Sequence, residues 1–343
     1  MDETAQRKEK GQSYSQLVWQ QLKRNRLAML GGFWVIAMLT CLALFADFLA
    51  NEKPYYIKID GAFYFPIFRG YLVSMGLAQW PTALVNADYK NLPYNTALFP
   101  PVPYLPNRID LTTPFERPSR NHLFGTDRLG RDVLSGIIHG SRISLSIGLV
   151  AMGIATIIGI AIGAIAGFFG GWIDLLINRI FELMLSIPTF FLILTVVAFV
   201  KSPSIFYIMI IIGLTSWVGI ARFTRNEFLK AKNLEYVTAA IAIGASNRRT
   251  MFRHILPNTI TPVIVAVVFG IASAILIESG LSFLGIGVPA DTITWGSILN
   301  EARGNTSAWW LALFPGLAIF VTVLAYNLAG QGLRDAIDPS LKL

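Results

Sequence analysis

Long apolar segments alternate with polar connections along most of the chain. An apolar helix of about 20 residues crosses the roughly 30 Å hydrocarbon core of a bilayer, and six segments reach about that length. The pattern therefore predicts an all-α polytopic membrane protein with six transmembrane helices. Their predicted limits are 27–49, 141–167, 177–200, 204–222, 259–280 and 309–332.

The polar segments beside these helices define the predicted domains. Residues 13–26 are predicted to form an amphipathic helix on the membrane surface, because Tyr14, Leu17, Val18 and Leu22 fall at helical spacing. The prediction divides the chain into an N-terminal segment 1–26, a first helix 27–49, an insertion 50–140, a core of five helices 141–333 and a tail 334–343.

Basic residues predict the orientation of the chain. Short cytoplasmic loops of membrane proteins carry an excess of Lys and Arg. The N-terminal segment and the loop 223–258 are rich in both, whereas the short connections on the other side offer only Lys201 and Arg303. Both termini and the loop 223–258 are therefore expected in the cytoplasm. The insertion 50–140 is expected outside, because long loops are translocated largely regardless of their charge.

The insertion is expected to fold into a small cap. Two short aromatic-rich runs flank Asp60-Gly61, and an Asp-Gly pair is a strong signal for a two-residue hairpin turn. Five prolines between Pro93 and Pro106 then predict a stiff, extended connector. Whether this cap docks a partner or is only a decorated loop stays open.

Composition supports membrane insertion and excludes several functions. Hydrophobic residues make up 54% of the chain and charged residues 14%, against roughly a quarter charged in soluble domains. The net charge of +8 comes largely from bases beside apolar segments, so it predicts orientation and no nucleic-acid partner. Cys41 is the only cysteine and the three histidines lie far apart. We therefore expect no disulfide and no metal site.

Candidate catalytic and ion-coupling groups are scarce. Ionisable residues of the apolar segments fall near predicted helix ends, namely Asp47, Arg142, Arg179, Glu182, Glu278 and Arg334. Proton relays need such groups inside the membrane, so a proton-driven carrier is not favoured, while sodium coupling through backbone carbonyls stays open. A phosphate-binding GxxxxGK[ST] loop does not occur in the sequence. We expect no cofactor and no enzymatic activity, so energy for active transport must come from another polypeptide.

A strip of small residues follows the second predicted helix at every fourth position. The strip consists of Ala151, Ala155, Gly159, Gly163, Gly167 and Gly171. Such spacing lets helix backbones approach closely in lipid. Packing within this chain is the favoured interpretation, and a dimerisation face is the alternative.

The loop 223–258 predicts two helices joined by a sharp turn. A helical pattern over 228–243 ends at Gly244, which suits the left-handed position after a helix. Ser246 is expected to cap a second helix through NRRTMFRHIL, and Pro257 to stop or kink it.

This helical pair displays apolar and small residues although it is too polar to cross a bilayer. Val237, Ile241 and Ile243 supply apolar area, and the alanines at 239, 240 and 242 permit close approach. An exposed apolar patch rimmed by charge indicates a protein contact. Packing against the ends of the chain's own helices is the alternative.

The loop also carries the pattern of a known family. Glu235, Ala239, Ala240, Gly244 and Pro257 resemble the "EAA" loop in permease subunits of ATP-binding-cassette (ABC) importers. Further motifs resemble the C-type permeases of the dipeptide/oligopeptide (nickel) importers, and the match covers most of residues 17–343. These motifs are WQQLKRNRLAMLGG, HLFGTDRLGRDVLSGIIHGSRISL at 122–145, SIPTFFLIL at 186–194, ESGLSFLGIGVP at 278–289, TWGSIL at 294–299 and RDAIDP at 334–339.

The resemblance implies a function and a set of partners. It implies the type I importer permease fold in a bacterial inner membrane, a homologous B-type permease, two cytoplasmic ABC ATPases, an extracytoplasmic solute-binding protein and a peptide substrate. ATPase coupling is carried over onto Glu235, Ala239, Ala240, Gly244, Ala245 and Pro257. At the outer start of the second helix, Gly125, Asp127, Arg131 and Asp132 are the matching residues, and helix capping with loop bracing is their favoured role.

The sequence departs from the family pattern at three places. Ile241 and Gly136 stand where these permeases often have Arg. The segment 50–121 is longer than in a plain dipeptide permease and is similar to the microcin-C or long-peptide branch. Two other functions stay open: an ion-coupled secondary carrier, and a membrane scaffold that docks a cytoplasmic protein through the same loop.

Overall fold

The structure is a computed structural model, and the residues it describes are 14–85, 87–89, 91–200, 204–286, 288–289 and 291–337. Predictions for residues 1–13, Lys201 and 338–343 lie outside these residues. The side chains of Tyr14 and Leu17 also lie outside them.

Helices dominate the described part of the chain. In chain order they are α1 Tyr14–Arg24, α2 Leu27–Leu44, α3 Ala46–Leu49, α4 Pro66–Ser74, α5 Val133–Phe169, α6 Gly171–Ser186, α7 Thr189–Ala198, α8 Ile205–Ala231, α9 Glu235–Ala242, α10 Asn247–Phe283, α11 Trp295–Glu301 and α12 Trp310–Ile337. Short 3₁₀ helices cover Thr82–Leu84 and Ala302–Gly304. Three strands, β1 Tyr56–Ile59, β2 Ala62–Tyr64 and β3 Thr96–Leu98, form one sheet.

Within the described residues, five helices are long and apolar enough to cross a membrane, namely α2, α5, α8, α10 and α12. The pair α6 and α7 makes a sixth span if its two halves, bent by 79°, are counted together. The all-α polytopic prediction is thus confirmed, but the third predicted helix, 177–200, is broken. Pro188 forces Ile187 into an extended conformation (φ −101°, ψ 123°), because its ring disfavours the helical region for the preceding residue.

Several helix limits differ from the predicted ones. The second span begins at Val133, eight residues before the predicted start, because the polar residues of its first turns lie within the helix. Pro257 does not stop its helix, since α10 is continuous from Asn247 to Phe283. The backbone over Thr250–Ile255 is π-helical, and Leu256 N–H donates to the Met251 carbonyl. This wider turn accommodates the proline ring.

One compact unit of the chain contains residues up to Ala37, Ile147–Ile277 and Val321 onward. Its α5 and α8 pack through glycines. A Cβ on Gly159 would lie 2.8 Å from the Ile220 side chain, and one on Gly167 would lie 2.6 Å from the Arg225 carbonyl. The favoured interpretation of the small-residue strip, packing within the chain, therefore holds for these glycines.

The second unit contains Met38–Ser146 and Glu278–Phe320. Its antiparallel sheet has the strand order β2-β1-β3. The predicted hairpin is confirmed: Asp60 (φ 48°) and Gly61 (φ 84°) form the turn, and Ile59 pairs with Ala62. β3 lies inside the predicted proline-rich connector, where Ala97 pairs with Ile57. The side chain of Ile57 is buried in the small core of this cap.

Candidate functional site

The elbow, defined as residues 232–256, joins α8 to the apolar part of α10. The sequence predicted one helix over 228–243, but α8 ends at Ala231 and α9 begins at Glu235. α9 ends at a left-handed glycine, as predicted, with Gly244 at φ +85°. Gly244 N–H donates to the Ile241 carbonyl and Ala245 N–H to the Ala240 carbonyl, both at 3.0 Å. This is the Schellman pattern, and it reverses the chain sharply.

Ser246 occupies the predicted N-cap position of the second helix, but its hydroxyl makes no capping hydrogen bond with the described residues. Its carbonyl instead accepts hydrogen bonds from the backbone N–H of Thr250 at 2.9 Å and from the Thr250 hydroxyl at 3.2 Å. The backbone therefore starts the helix here without help from the serine side chain.

The inner face of the elbow packs against the chain's own helices. Val237 is completely buried, and Met251 and Ile255 join it in one apolar cluster. Phe228 and Ala231 of α8 and Ala164 of α5 complete the buried part of the cluster. The alternative prediction, packing against the chain's own helix ends, is therefore correct for this face.

The outer face of the elbow remains exposed and partly apolar. Ile243 is 87% exposed. The apolar side chains that share this exposure are Leu234, Tyr236, Ile241 and Phe252. Arg248, Arg249 and Arg253, also exposed, lie along the same segment. An apolar surface bordered by cations suits a contact with a protein of opposite charge.

The residues matched to the coupling loop divide between the two faces. Glu235 and Ala239 are exposed on α9, and Pro257 is exposed beyond the elbow. Ala245 is half-buried. Ala240 is buried, so it faces the chain itself and differs from the expectation that it lets a partner approach.

An ion pair that the sequence reasoning missed joins α6 to α8. Arg225 donates through Nη2 to Asp174 Oδ2 at 2.6 Å and through Nε to Oδ1 at 2.5 Å. The Asn178 side chain donates to the same carboxylate at 2.9 Å. A carboxylate in the first turn of α6, with Arg in the second half of α8, was the available sequence signal.

Replacing Asp174 with Asn should lower the free energy of unfolding by about 1–3 kcal/mol, because Arg225 stays partly buried without its counter-ion. The Arg179–Glu182 pair on the same helix provides the control, since both of its side chains are more than 60% exposed. Glu182→Gln should leave thermal stability almost unchanged. Thermal unfolding in lipid nanodiscs compares the two variants. Equal losses of stability would contradict a stabilising role of the Asp174–Arg225 ion pair.

The segment before α5 is held by its polar residues. Asp127 Oδ1 accepts hydrogen bonds from the N–H groups of Leu129 (2.8 Å) and Arg131 (2.9 Å). Asp127 and Arg131 also form an ion pair. Asp132 Oδ1 accepts the Ser135 N–H at 2.7 Å and so caps α5, while Oδ2 lies 2.9 Å from His122 Nδ1. These contacts cap α5 and hold the segment before it in place.

Gly125 fits a place that excludes any side chain. Its φ is +75°, and a Cβ there would lie 2.6 Å from the Glu116 carbonyl oxygen and 2.8 Å from Trp310 Nε1. Trp310 Nε1–H donates to the Thr126 carbonyl at 3.0 Å. The sequence reasoning did not connect this tryptophan with the segment, because 184 residues separate the two partners.

Glu301 extends the same polar network from α11. Arg128 Nε lies 2.9 Å from one Glu301 carboxylate oxygen and Arg131 Nη2 lies 3.6 Å from the other. Burial raises the pKa of the Glu301 carboxyl, and the two arginines oppose that rise. The network ties α11 to the start of α5.

Glu278 is fully buried near the end of α10. Ser282 Oγ donates to Glu278 Oε1 at 2.7 Å. From the sequence it was only one of several ionisable residues near helix ends. Its burial with hydroxyl partners is a feature that only packing could produce.

A cavity of about 590 Å³ opens within the first unit. Its lining is mostly apolar and comes from α5, α6, α7, α8, α10 and α12, with several hydroxyl groups and one arginine. Representative lining residues are Met152, Thr189, Thr215, Phe223, Ser273 and Arg334. A membrane cavity of this composition can hold a solute in transit.

The apolar helices define a class of protein, a multi-pass membrane protein, and the elbow adds an exposed, partly apolar surface outside the spans. The comparisons with known proteins identify the family. Residues 159–343 match the binding-protein-dependent transport system inner membrane component family. Residues 13–66 match the N-terminal TM domain of oligopeptide transport permease C. The chain belongs to the family of binding-protein-dependent transport system inner membrane components, which confirms the resemblance found in the sequence.

Relatives with assigned names align over most of the chain. The dipeptide transport system permease protein DppC of Bacillus subtilis (strain 168) is 33% identical over 332 residues, covering 96% of this chain and 87% of that protein. The inner membrane ABC transporter permease protein YejE of Escherichia coli (strain K12) is 32% identical over 336 residues, covering 95% and 97%. DppC of Alkalihalophilus pseudofirmus is 42% identical over 226 residues, covering 66% and 74%.

One solved structure also resembles the chain, the MetNI methionine ABC transporter in inward facing conformations. Its TM-score is 0.47 at 16% sequence identity, over 59% of this chain and 95% of that one.

Proposed function

We propose that the chain is a permease subunit of an ABC importer for peptides and that it forms half of the translocation path. Its named relatives are permeases of dipeptide transport systems and inner membrane ABC transporters. The similarity of the segment 50–121 to the microcin-C or long-peptide branch favours peptides beyond the dipeptide. Selection of the peptide rests mainly with an extracytoplasmic solute-binding protein that delivers it.

The energy for import comes from two ATPase subunits that bind the elbow. The sequence carries no phosphate-binding GxxxxGK[ST] loop, so ATP hydrolysis by that route needs another polypeptide. A homologous B-type permease supplies the other half of the path and a second elbow. The ATPases shift the path between inward-open and outward-open states because their contacts with the elbows differ between those states.

In the proposed orientation, both termini and the elbow face the cytoplasm of a bacterium and the insertion 50–140 faces outside. The cations of the N-terminal segment and of the elbow support this arrangement. The cavity within the first unit then contributes to the path, with its hydroxyl groups available to peptide carbonyl and amide groups.

The observation that carries this proposal is the division of α9 into two faces. Val237 anchors the helix, whereas Tyr236 beside it is exposed and Ile243 is almost completely exposed. Removing such an apolar surface from water is favourable, and a partner protein that docks on the elbow would cover it.

Crosslinking from this surface tests the proposal. A benzophenone amino acid replaces Tyr236 or Ile243 in the assembled, active importer, and Val237 on the same helix is the matched buried control. We expect adducts with an ATPase subunit from positions 236 and 243 and none from 237. Adducts only with lipid or with this chain itself, in an active assembly, would refute the coupling role.

A second measurement addresses the substrate class. Peptides of increasing length compete for the cognate solute-binding protein, and a nickel chelate serves as the comparison. We expect peptides longer than two residues to compete best. Preferential binding of the nickel chelate would overturn the peptide assignment while leaving the importer function intact.

A further inference from the structure

The helix α4 presents its apolar side outward. Pro66 and Ile67 are buried, while Phe68, Leu72 and Met75 are exposed. Positions separated by four and three residues lie along one side of a helix, so these three side chains form a continuous stripe. A helix on the surface of a water-soluble domain has the reverse arrangement, with polar residues outward. The stripe therefore needs an apolar surrounding.

α4 carries little charge that could make its exposed apolar stripe favourable in water. Arg69 is the only charged residue between Pro66 and Ser74. Its guanidinium donates to the Gln79 carbonyl at 2.8 Å through Nη2 and at 3.0 Å through Nε. Phe65 and Leu77, both exposed, extend the apolar surface beyond the two ends of the helix.

Aromatic contacts attach α4 to the end of the first span. The ring of Phe48, four residues beyond α2, lies 5.5 Å from the Phe68 ring and 6.2 Å from the Tyr71 ring, measured between centroids. Tyr71 Oη donates to Asp47 Oδ2 at 2.6 Å. Burial and this carboxylate raise the pKa of Tyr71 to about 12.

The length of α2 indicates the depth in the bilayer at which Phe48 contacts α4. α2 has 18 residues, which at about 1.5 Å per residue span roughly 27 Å, close to the hydrocarbon thickness of a bilayer. Leu44 therefore lies at one boundary of the hydrocarbon, and Phe45 and Phe48 follow at the level of the headgroups. Phe45, Phe48 and Phe68 form a chain of rings with centroid separations of 6.3 and 5.5 Å.

We propose that α4 is an interfacial helix whose stripe Phe68, Leu72 and Met75 lies in the headgroup–acyl boundary of the leaflet at the Leu44 end of the first span. The stripe continues the exposed apolar surface at the end of α2, where Leu44 and the following residue Phe45 are also exposed. Interfacial helices bury Phe and Leu at this depth, and Tyr71 adds an amphipathic ring of the kind that is enriched at the headgroups. Lipid, not a protein partner, is the occupant that this continuity favours. The helix thereby fixes the small sheet at a set distance from the membrane.

Spin-label accessibility in lipid nanodiscs tests the proposal on the full chain. In a Cys41→Ser background, single cysteines replace Leu72 or Met75, and Ser74→Cys, which lies about a third of a turn around α4 from the stripe, is the control. The native Cys41, exposed within α2, gives the reference for a lipid-facing label. Power saturation compares collisions with oxygen, which is concentrated in lipid, and with a water-soluble nickel chelate.

We expect labels at 72 and 75 to favour oxygen over the nickel chelate several-fold, as at Cys41, and the label at 74 to favour the chelate. Labels at 72 and 75 that collide mainly with the chelate would overturn the proposal. So would labels that lose contact with the chelate only after the solute-binding protein is added, since a protein would then cover the stripe. The measurement needs neither ATPase subunits nor transport, so it stands apart from the proposed importer function.

Discussion

Replacing Gly244 with proline is expected to abolish transport-linked ATP turnover while leaving membrane insertion of the chain intact. Proline holds φ near −65°, whereas residue 244 has φ +85°. Proline also lacks the N–H that Gly244 donates to the Ile241 carbonyl. The tight turn after α9 would therefore be lost, and the exposed apolar face of the elbow would point in another direction.

The readout is ATP hydrolysis stimulated by the substrate-loaded binding protein in the reconstituted importer. Gly76 supplies a matched control, because Gly76 N–H donates to Val73 and Leu77 N–H to Leu72 in the same pattern after α4. Its φ is +72°, and a Cβ at either glycine would meet no described atom within 4 Å. Gly76→Pro should therefore cause comparable local strain and retain most of the coupled ATP turnover. Full transport by Gly244→Pro would show that the elbow does not need this geometry.

Replacing Gly163 with valine is expected to destabilise the chain by more than about 3 kcal/mol and to reduce its yield in membranes severely. A Cβ at this position would lie 2.3 Å from the Ala221 carbonyl oxygen and 2.8 Å from the Thr224 Cβ. Neither atom belongs to a flexible chain end, so α5 and α8 would have to separate. Close helix contact is the main source of stability between helices in lipid.

Gly153 on the same helix is the matched control for this substitution. It is exposed, and a Cβ there would meet no described atom within 4 Å. Gly153→Val should therefore keep the thermal stability of the parent chain within the small change expected for an exposed site. Fluorescence-detected size exclusion after heating compares the two variants. Similar behaviour of both would contradict the close packing of α5 on α8.

The features predicted correctly from the sequence have local causes. Asp60-Gly61 determines the hairpin, because both residues adopt the positive φ that this turn requires. Gly244 ends α9 because it also adopts a positive φ. The apolar segments predicted the membrane-spanning class through their length, which matches the bilayer.

The errors came from features that apolar length and helical period do not encode. Pro188 and Pro257 both lie in apolar helical segments, yet one breaks the helix and the other lies in a continuous one. Ala240 was grouped with its exposed neighbours, although the cluster of Phe228 and Val237 lies on its side of α9. A helical period gives the direction of a side chain but not the element opposite it.

The sequence by itself determined the membrane class and the two left-handed turns, because hydrocarbon thickness and backbone sterics act on short segments without outside help. Its motifs identified the family by resemblance. Only the tertiary structure decided which face of the elbow is free, which helix covers Gly163, and that Asp174 meets Arg225 fifty-one residues away. These outcomes depend on close packing between distant segments, and close packing selects partners by shape and not by sequence period.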